Sequence, residues 1–122
     1  MKQSRQKIGQ IGERKAQSFL KRRGYQILEC NFRTKAGELD IIAKEGECLV
    51  FVEVKTRTSL EYGTPAEAVS YYKREHMVSS ARWYLSRYGF DTECRFDVIE
   101  VMLPKNPWNP FAKINHLKNV IQ

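Results

Sequence analysis

The chain has 122 residues, 42% hydrophobic and 29% charged, and no run approaches the roughly 20 apolar residues of a membrane span; this is one globular domain, not a disordered, fibrous or membrane-spanning chain. The net charge is +7, and the excess is local: residues 1–37 carry ten Lys/Arg against two Glu, whereas residues 38–122 carry eleven against twelve Asp/Glu. A basic N-terminal third is the electrostatic footprint expected of a polyanion binder, although a merely solvated basic helix explains the same charge.

Ile8, Ile11, Ala16, Phe19 and Leu20 recur at helical spacing, and Gly24 stands where a helix should stop. This predicts a helix over about residues 6–23. Its apolar stripe also holds Gly9 and Gly12, which would let another backbone approach closely. Glu13 lies at the edge of that stripe, half-buried and in need of a reason. Residues 25–30 read as a first strand and 31–37 as a polar loop. Residues 38–43 and 48–56 are β-rich runs around a Gly-containing turn, the signature of a hairpin. Thr64, Pro65 and Glu67 form a capping box, with Ser70 as a second N-cap. Helix then runs to about Tyr88, with Gly89 as its stop. Residues 95–103 read as a fourth strand, 104–110 as a rigid Pro-rich loop, and the tail to Gln122 as the place for a last short strand. Cys30, Cys48 and Cys94 are widely spaced and form no CxxC pair, so they read as buried thiols of a reducing compartment. The charged start Met1–Lys7 has no apolar segment behind it, which argues against a secretory signal and for a cytoplasmic protein. The order is α-β-β-β-α-β in a single domain over 1–122, with a core at about 8–103 and a Pro-rich loop and tail at 104–122.

The hairpin's parity follows from its turn. A two-residue Glu45–Gly46 turn pairs Lys44 with Glu47. Leu39, Ile41, Ala43, Cys48, Val50, Val52 and Val54 then share one wholly apolar face, the core. Glu38, Asp40, Ile42, Leu49, Phe51, Glu53 and Lys55 share the other. Glu38 would face Glu53 directly, with Asp40 a diagonal neighbour of Glu53 at about 7 Å. Opposed carboxylates destabilise a sheet and raise one another's pKa, and Lys55 offsets only one negative charge. A divalent cation would remove the conflict, and oxygen donors at this density suit Mg²⁺ or Mn²⁺. The alternative is an exposed face of solvated carboxylates, against which Ile42, Leu49 and Phe51 argue that something covers it. Lys55, next to two carboxylates, should stay protonated and act electrostatically.

A carboxylate late in one strand followed by Glu-x-Lys on its antiparallel neighbour resembles the PD-(D/E)xK core of restriction-type endonucleases and archaeal Holliday-junction resolvases, as does the element order. Gly9-x-x-Gly12-Glu13, Asn31-Phe32-Arg33, Gly37-Glu38-Leu39-Asp40, the run from Phe51 to Arg57, Gly63-x-Pro65, Lys73 and Arg95-Phe96-Asp97 together resemble the YraN-type family of small bacterial proteins, assigned to that fold. The resemblance covers about residues 8–103. It implies an α/β, restriction-endonuclease-like αβββαβ core, a mixed sheet with an antiparallel hairpin flanked by helices. It also implies that Asp40 and Glu53 are metal ligands, with the Val54 carbonyl as a third. Lys55 would orient the attacking water or stabilise charge on the phosphate, and Glu13 would complete the catalytic set. Leu39 stands where the motif often has Pro. The expected activity is Mg²⁺- or Mn²⁺-dependent endonucleolytic cleavage of structured or branched DNA, with the homodimer of resolvase-like relatives as a further expectation.

Arg33, Lys35, Arg57 and Lys73 are candidate phosphate contacts, or plain surface charges. His76 and His116 read as structural or exposed. Tyr71, Tyr72, Trp83, Tyr84 and Tyr88, at helical spacing, read as core in preference to base-stacking platforms. Two rival functions remain: a non-catalytic nucleic-acid-binding module, and an interaction protein using the Pro104–Pro110 loop with Trp108 and Phe111.

Overall fold

A computed structural model describes residues 4–58, 71–89, 91–106, 109 and 111–121. The capping box at Thr64–Glu67, the Gly63-x-Pro65 element, Ser70 and Trp108 lie outside the described residues. Ser4 opens helix α1 (Arg5–Arg22) by accepting the Lys7 N–H at 3.2 Å. Gly24, at φ +88°, closes it: its N–H reaches the Lys21 carbonyl while Tyr25 N–H returns to that of Leu20. Glycine takes this left-handed position without a Cβ penalty.

Strands β1 (Gln26–Thr34), β2 (Gly37–Glu45), β3 (Cys48–Thr58), β4 (Cys94–Leu103) and β5 (Lys113–Leu117) form one sheet in chain order. All neighbours are antiparallel except β3 and β4, which run parallel on either side of helix α2 (Tyr71–Tyr88) in the chain. The sheet is sandwiched. Ile11, Ala16 and Leu20 of α1 pack on Ile41, Ala43, Val50, Val52, Ile99 and Val101, while Met77, Ala81 and Tyr84 of α2 pack on Leu39, Ile42, Leu49 and Phe51. The protein is therefore a mixed α/β chain with a hairpin flanked by helices. Among the described residues no helix is long and apolar enough to cross a membrane.

Several expectations are corrected. The predicted 31–37 loop is mostly strand: β1 continues to Thr34, whose hydroxyl closes a tight turn by accepting the Ala36 and Gly37 N–H groups. Cys30 and Cys94 are exposed and Cys48 is half-buried, because they fall near strand ends or on the edge strand. Of the described side chains among the aromatics read as core, only Tyr84 is buried; Tyr72 is 74% exposed, and Trp83 and Tyr88 lie half-open over Phe32. The side chain of Tyr71 lies outside the description. Gly12 does leave room for a close neighbour, but it is the Thr56 side chain of β3 and not a backbone, since a Cβ there would lie 1.8 Å from Thr56 Oγ1; Gly9 has nothing within 4 Å.

Candidate active site

The hairpin turn is Gly46–Glu47, with Gly46 at φ +58°, so Glu45 pairs with Cys48, Ala43 with Val50 and Ile41 with Val52. The turn lies one residue later than expected because glycine takes its first, left-handed position. Opposed positions move by two, so most side chains keep their predicted face. The partners change: counting one pair beyond Ile41–Val52 sets Asp40, not Glu38, against Glu53. Leu39 also leaves its predicted face and packs with α2. Beside it, Asn31 adopts φ +53° between the pairs Cys30–Ile41 and Phe32–Leu39. The β1–β2 register is the same on either side of Asn31, and the bulge in this pair lies between Ile27 and Glu29.

The β2–β3 ladder stops at Ile41–Val52, and beyond it the strands part. Into the fork Asp40 projects its carboxylate, whose Oδ2 accepts the Val54 N–H at 2.8 Å. Glu53, only 6% exposed, lies within hydrogen-bonding reach of Asp40. Burial pushes the Asp40 pKa up to about 8, helped by the charges of Glu53 and Glu13 and opposed by the Val54 N–H. Lys73 of α2 places Nζ 2.6 Å from Glu53 Oε1.

Glu13 reaches the same region from α1. Its pKa is raised by burial and by Glu38 and Glu53, against a hydrogen bond from Asn31. With its amide nitrogen turned toward the acids, Asn31 donates to Glu13 at 3.2 Å and to Glu38 at 3.0 Å. Asn31 was thus overlooked as a site residue, although its place in Asn31-Phe32-Arg33 was visible. Lys55 follows Glu53 on the same face. Burial lowers its pKa, with Arg57 and Lys73 adding to the effect, and Glu53 only partly opposes this. At Lys55 the effect of desolvation is therefore larger than that of the neighbouring carboxylate.

Of the candidate phosphate contacts, Lys73 is engaged by Glu53, Arg33 lies 3.5 Å from Glu38, and Arg57 lies 3.9 Å from the buried Glu100. Lys35 is exposed in the β1–β2 turn. Two hollows approach the fork, one of about 340 Å³ beside Glu38, Asp40 and Lys73, the other of about 270 Å³ beside Arg5, Glu13 and Val54.

The donors that suit a hard cation are the two fork carboxylates and the Val54 carbonyl. In an extended strand a residue's N–H and C=O face the same neighbour, so that carbonyl shares the edge on which Val54 meets Asp40. Two carboxylates and a carbonyl, completed by waters or phosphate oxygens, match the needs of Mg²⁺. Among the described residues no group of three or more His, Cys, Asp or Glu is placed to hold a metal ion; Glu13 and Glu38 instead converge on Asn31.

A mixed sheet between two helices, with half-buried Asp40 beside buried Glu53 at a strand fork, defines an α/β protein with a carboxylate-centred site. Residues 12–101 match the model of the uncharacterised protein family UPF0102. The chain is 50% identical over 116 residues to a UPF0102 protein of Alkaliphilus oremlandii, covering 93% of this chain and 96% of the relative. It is 47% identical to one of Caldicellulosiruptor saccharolyticus (95% and 98% covered) and 43% identical to one of Caldanaerobacter subterraneus (97% and 97%). The chain belongs to the UPF0102, or YraN, family, whose relatives here are bacterial.

Proposed function

We propose that the chain is a divalent-cation-dependent endonuclease of the PD-(D/E)xK type, hydrolysing phosphodiester bonds in structured or branched DNA. The observation that carries this reading is the pair of half-buried Asp40 and buried Glu53 at the fork, with Lys55 next along the same face. Such a pair opposes folding unless something positive joins it. Asp40, Glu53 and the Val54 carbonyl would hold Mg²⁺ or Mn²⁺, which would supply an activated water and stabilise charge growing on the phosphate. Lys55, its pKa lowered by burial, stands where it can stabilise the attacked phosphate or orient the water. Asn31 keeps Glu13 and Glu38 at the margin of the site by donating to both.

The test is cleavage of labelled linear, single-stranded and four-way-junction DNA with Mg²⁺ or Mn²⁺, alongside a calorimetric Mn²⁺ titration. Junction cleavage and Mn²⁺ binding, both lost in Asp40→Ala and Glu53→Ala, are expected. Cleavage that survives Asp40→Ala overturns the assignment. The ion pair of Lys73 with Glu53 favours a second reading, a non-catalytic nucleic-acid-binding module in which a lysine has taken the cation's place. That reading expects DNA binding indifferent to divalent ions and to Glu53→Ala.

A further inference from the structure

The cations nearest the acid site are engaged by carboxylates: Arg33 by Glu38, Arg57 by Glu100 and Lys73 by Glu53. The cations on the far flank of α1 are different. Arg14, Ser18 and Arg22 follow i, i+4 spacing and line a groove between α1 and β5 together with Lys15 and a floor of Ala112 and Ile114. Two adjoining hollows, of about 410 and 290 Å³, share Arg22, Ala112 and Ile114. Neither Arg14 nor Arg22 has a carboxylate partner among the described residues.

The groove is also built. Lys15 Nζ donates to the Asn109 carbonyl at 3.4 Å, which ties the helix to the segment before β5. Arg23 is held over the Phe19 ring at 4.3 Å from its centroid. Asn109 Oδ1 accepts the Phe111 N–H at 3.0 Å, and Phe111 stands 82% exposed immediately before Ala112 of the floor. Guanidinium groups without a carboxylate partner among the described residues, along an apolar-floored groove with an open aromatic ring one residue before that floor in the chain, match the needs of a strand with unpaired bases. Phosphates take the cations, and a base takes the ring.

We infer that the α1–β5 groove lined by Arg14 and Arg22, with the exposed Phe111 next in the chain to its floor, is a track for a single-stranded nucleic-acid segment, on the flank of α1 opposite the carboxylate site. The inference rests on the nucleic-acid part of the proposed function and assigns that role to residues outside the acid site.

The experiment is fluorescence anisotropy of a labelled oligothymidylate of about 15 nucleotides, titrated with the full chain across a salt series. Arg14→Ala/Arg22→Ala should weaken binding about tenfold and reduce the slope of log affinity against log salt by about 1.4, as two single-strand phosphate contacts require. Arg14→Lys/Arg22→Lys should keep the slope. Phe111→Ala should weaken binding about tenfold with the slope unchanged. Thermal melts check that each variant is folded. Wild-type binding that neither Arg14→Ala/Arg22→Ala nor Phe111→Ala alters overturns the track and leaves the nuclease reading standing. Binding to phosphatidylserine vesicles with none to the oligonucleotide overturns it in favour of a membrane face. No binding to either overturns the track too, and the Mn²⁺ titration then decides the acid site separately.

Discussion

Two aspartates, Asp40 and Asp97, are both withdrawn from water, and their surroundings drive them in opposite directions. Asp97 has no exposed surface. Arg95 Nε donates to it at 3.0 Å, His116 Nε2 lies at 2.7 Å, and the Asn119 N–H donates at 3.0 Å. Burial alone would raise its pKa, but the bonds from His116, Arg95 and Asn119 outweigh it and hold the carboxyl below its usual range. Asp40 has one N–H and a facing glutamate, and burial carries it up to about 8. A buried acid with its donors supplied is a structural joint, here fastening β5 and the tail to the sheet. A half-buried acid left against another acid is a local conflict of the kind functional sites retain.

The comparison can be broken by substitution. Asp97→Ala should have the largest effect, destabilising the protein by about 3 kcal/mol in urea unfolding, because it removes the fully buried acceptor shared by Arg95, His116 and the Asn119 N–H, although Arg95 keeps Glu45 and Tyr25. A loss below about 1 kcal/mol would show that the joint is ornamental. Asp40→Asn should act with the opposite sign. It keeps an acceptor for Val54 and removes the acid conflict, so the metal-free protein should gain about 2 kcal/mol at pH 8.

The pH dependence sharpens the contrast. The folded-state pKa of Asp40 lies above its unfolded value, so the folded state keeps a proton that the unfolded chain releases. Its contribution to stability therefore falls as pH rises from about 4 to 8 and levels off above that, and Asp40→Asn should remove this part of the profile. Asp97, with a depressed pKa, contributes stability that is present above about pH 4 and lost as pH falls through its folded value. Urea melts at several pH values, compared between wild type and Asp40→Asn, measure both limbs. Lys73→Met should have the smallest effect, within about 1 kcal/mol in the same assay, because the lysine side chain is 47% exposed and solvent screens its pairing with Glu53. A much larger loss would place Lys73 among the structural cations, beside Arg95.

The elements were legible because their signals are local. The α1 stripe, its Gly24 stop, the hairpin runs and the β4 run emerged within a residue or two of their predicted bounds. The shared face of Asp40, Glu53 and Lys55 was legible as well, since strand parity survived a turn displaced by one residue at each end. What periodicity could not supply was which acid meets which. That depended on Gly46 taking the left-handed turn position and on the β2–β3 ladder ending at Ile41–Val52. Nor could it show that Lys73, on a distant helix, would reach Glu53, or that His116 and Asn119 of the tail would meet at Asp97. By itself the sequence determined where helices and strands lie and that acids crowd one face of a hairpin, because spacing and turn chemistry act over a few residues. Only the tertiary structure decided that Asp40 is left in conflict and Asp97 satisfied, because burial and partners come from segments far apart in the chain.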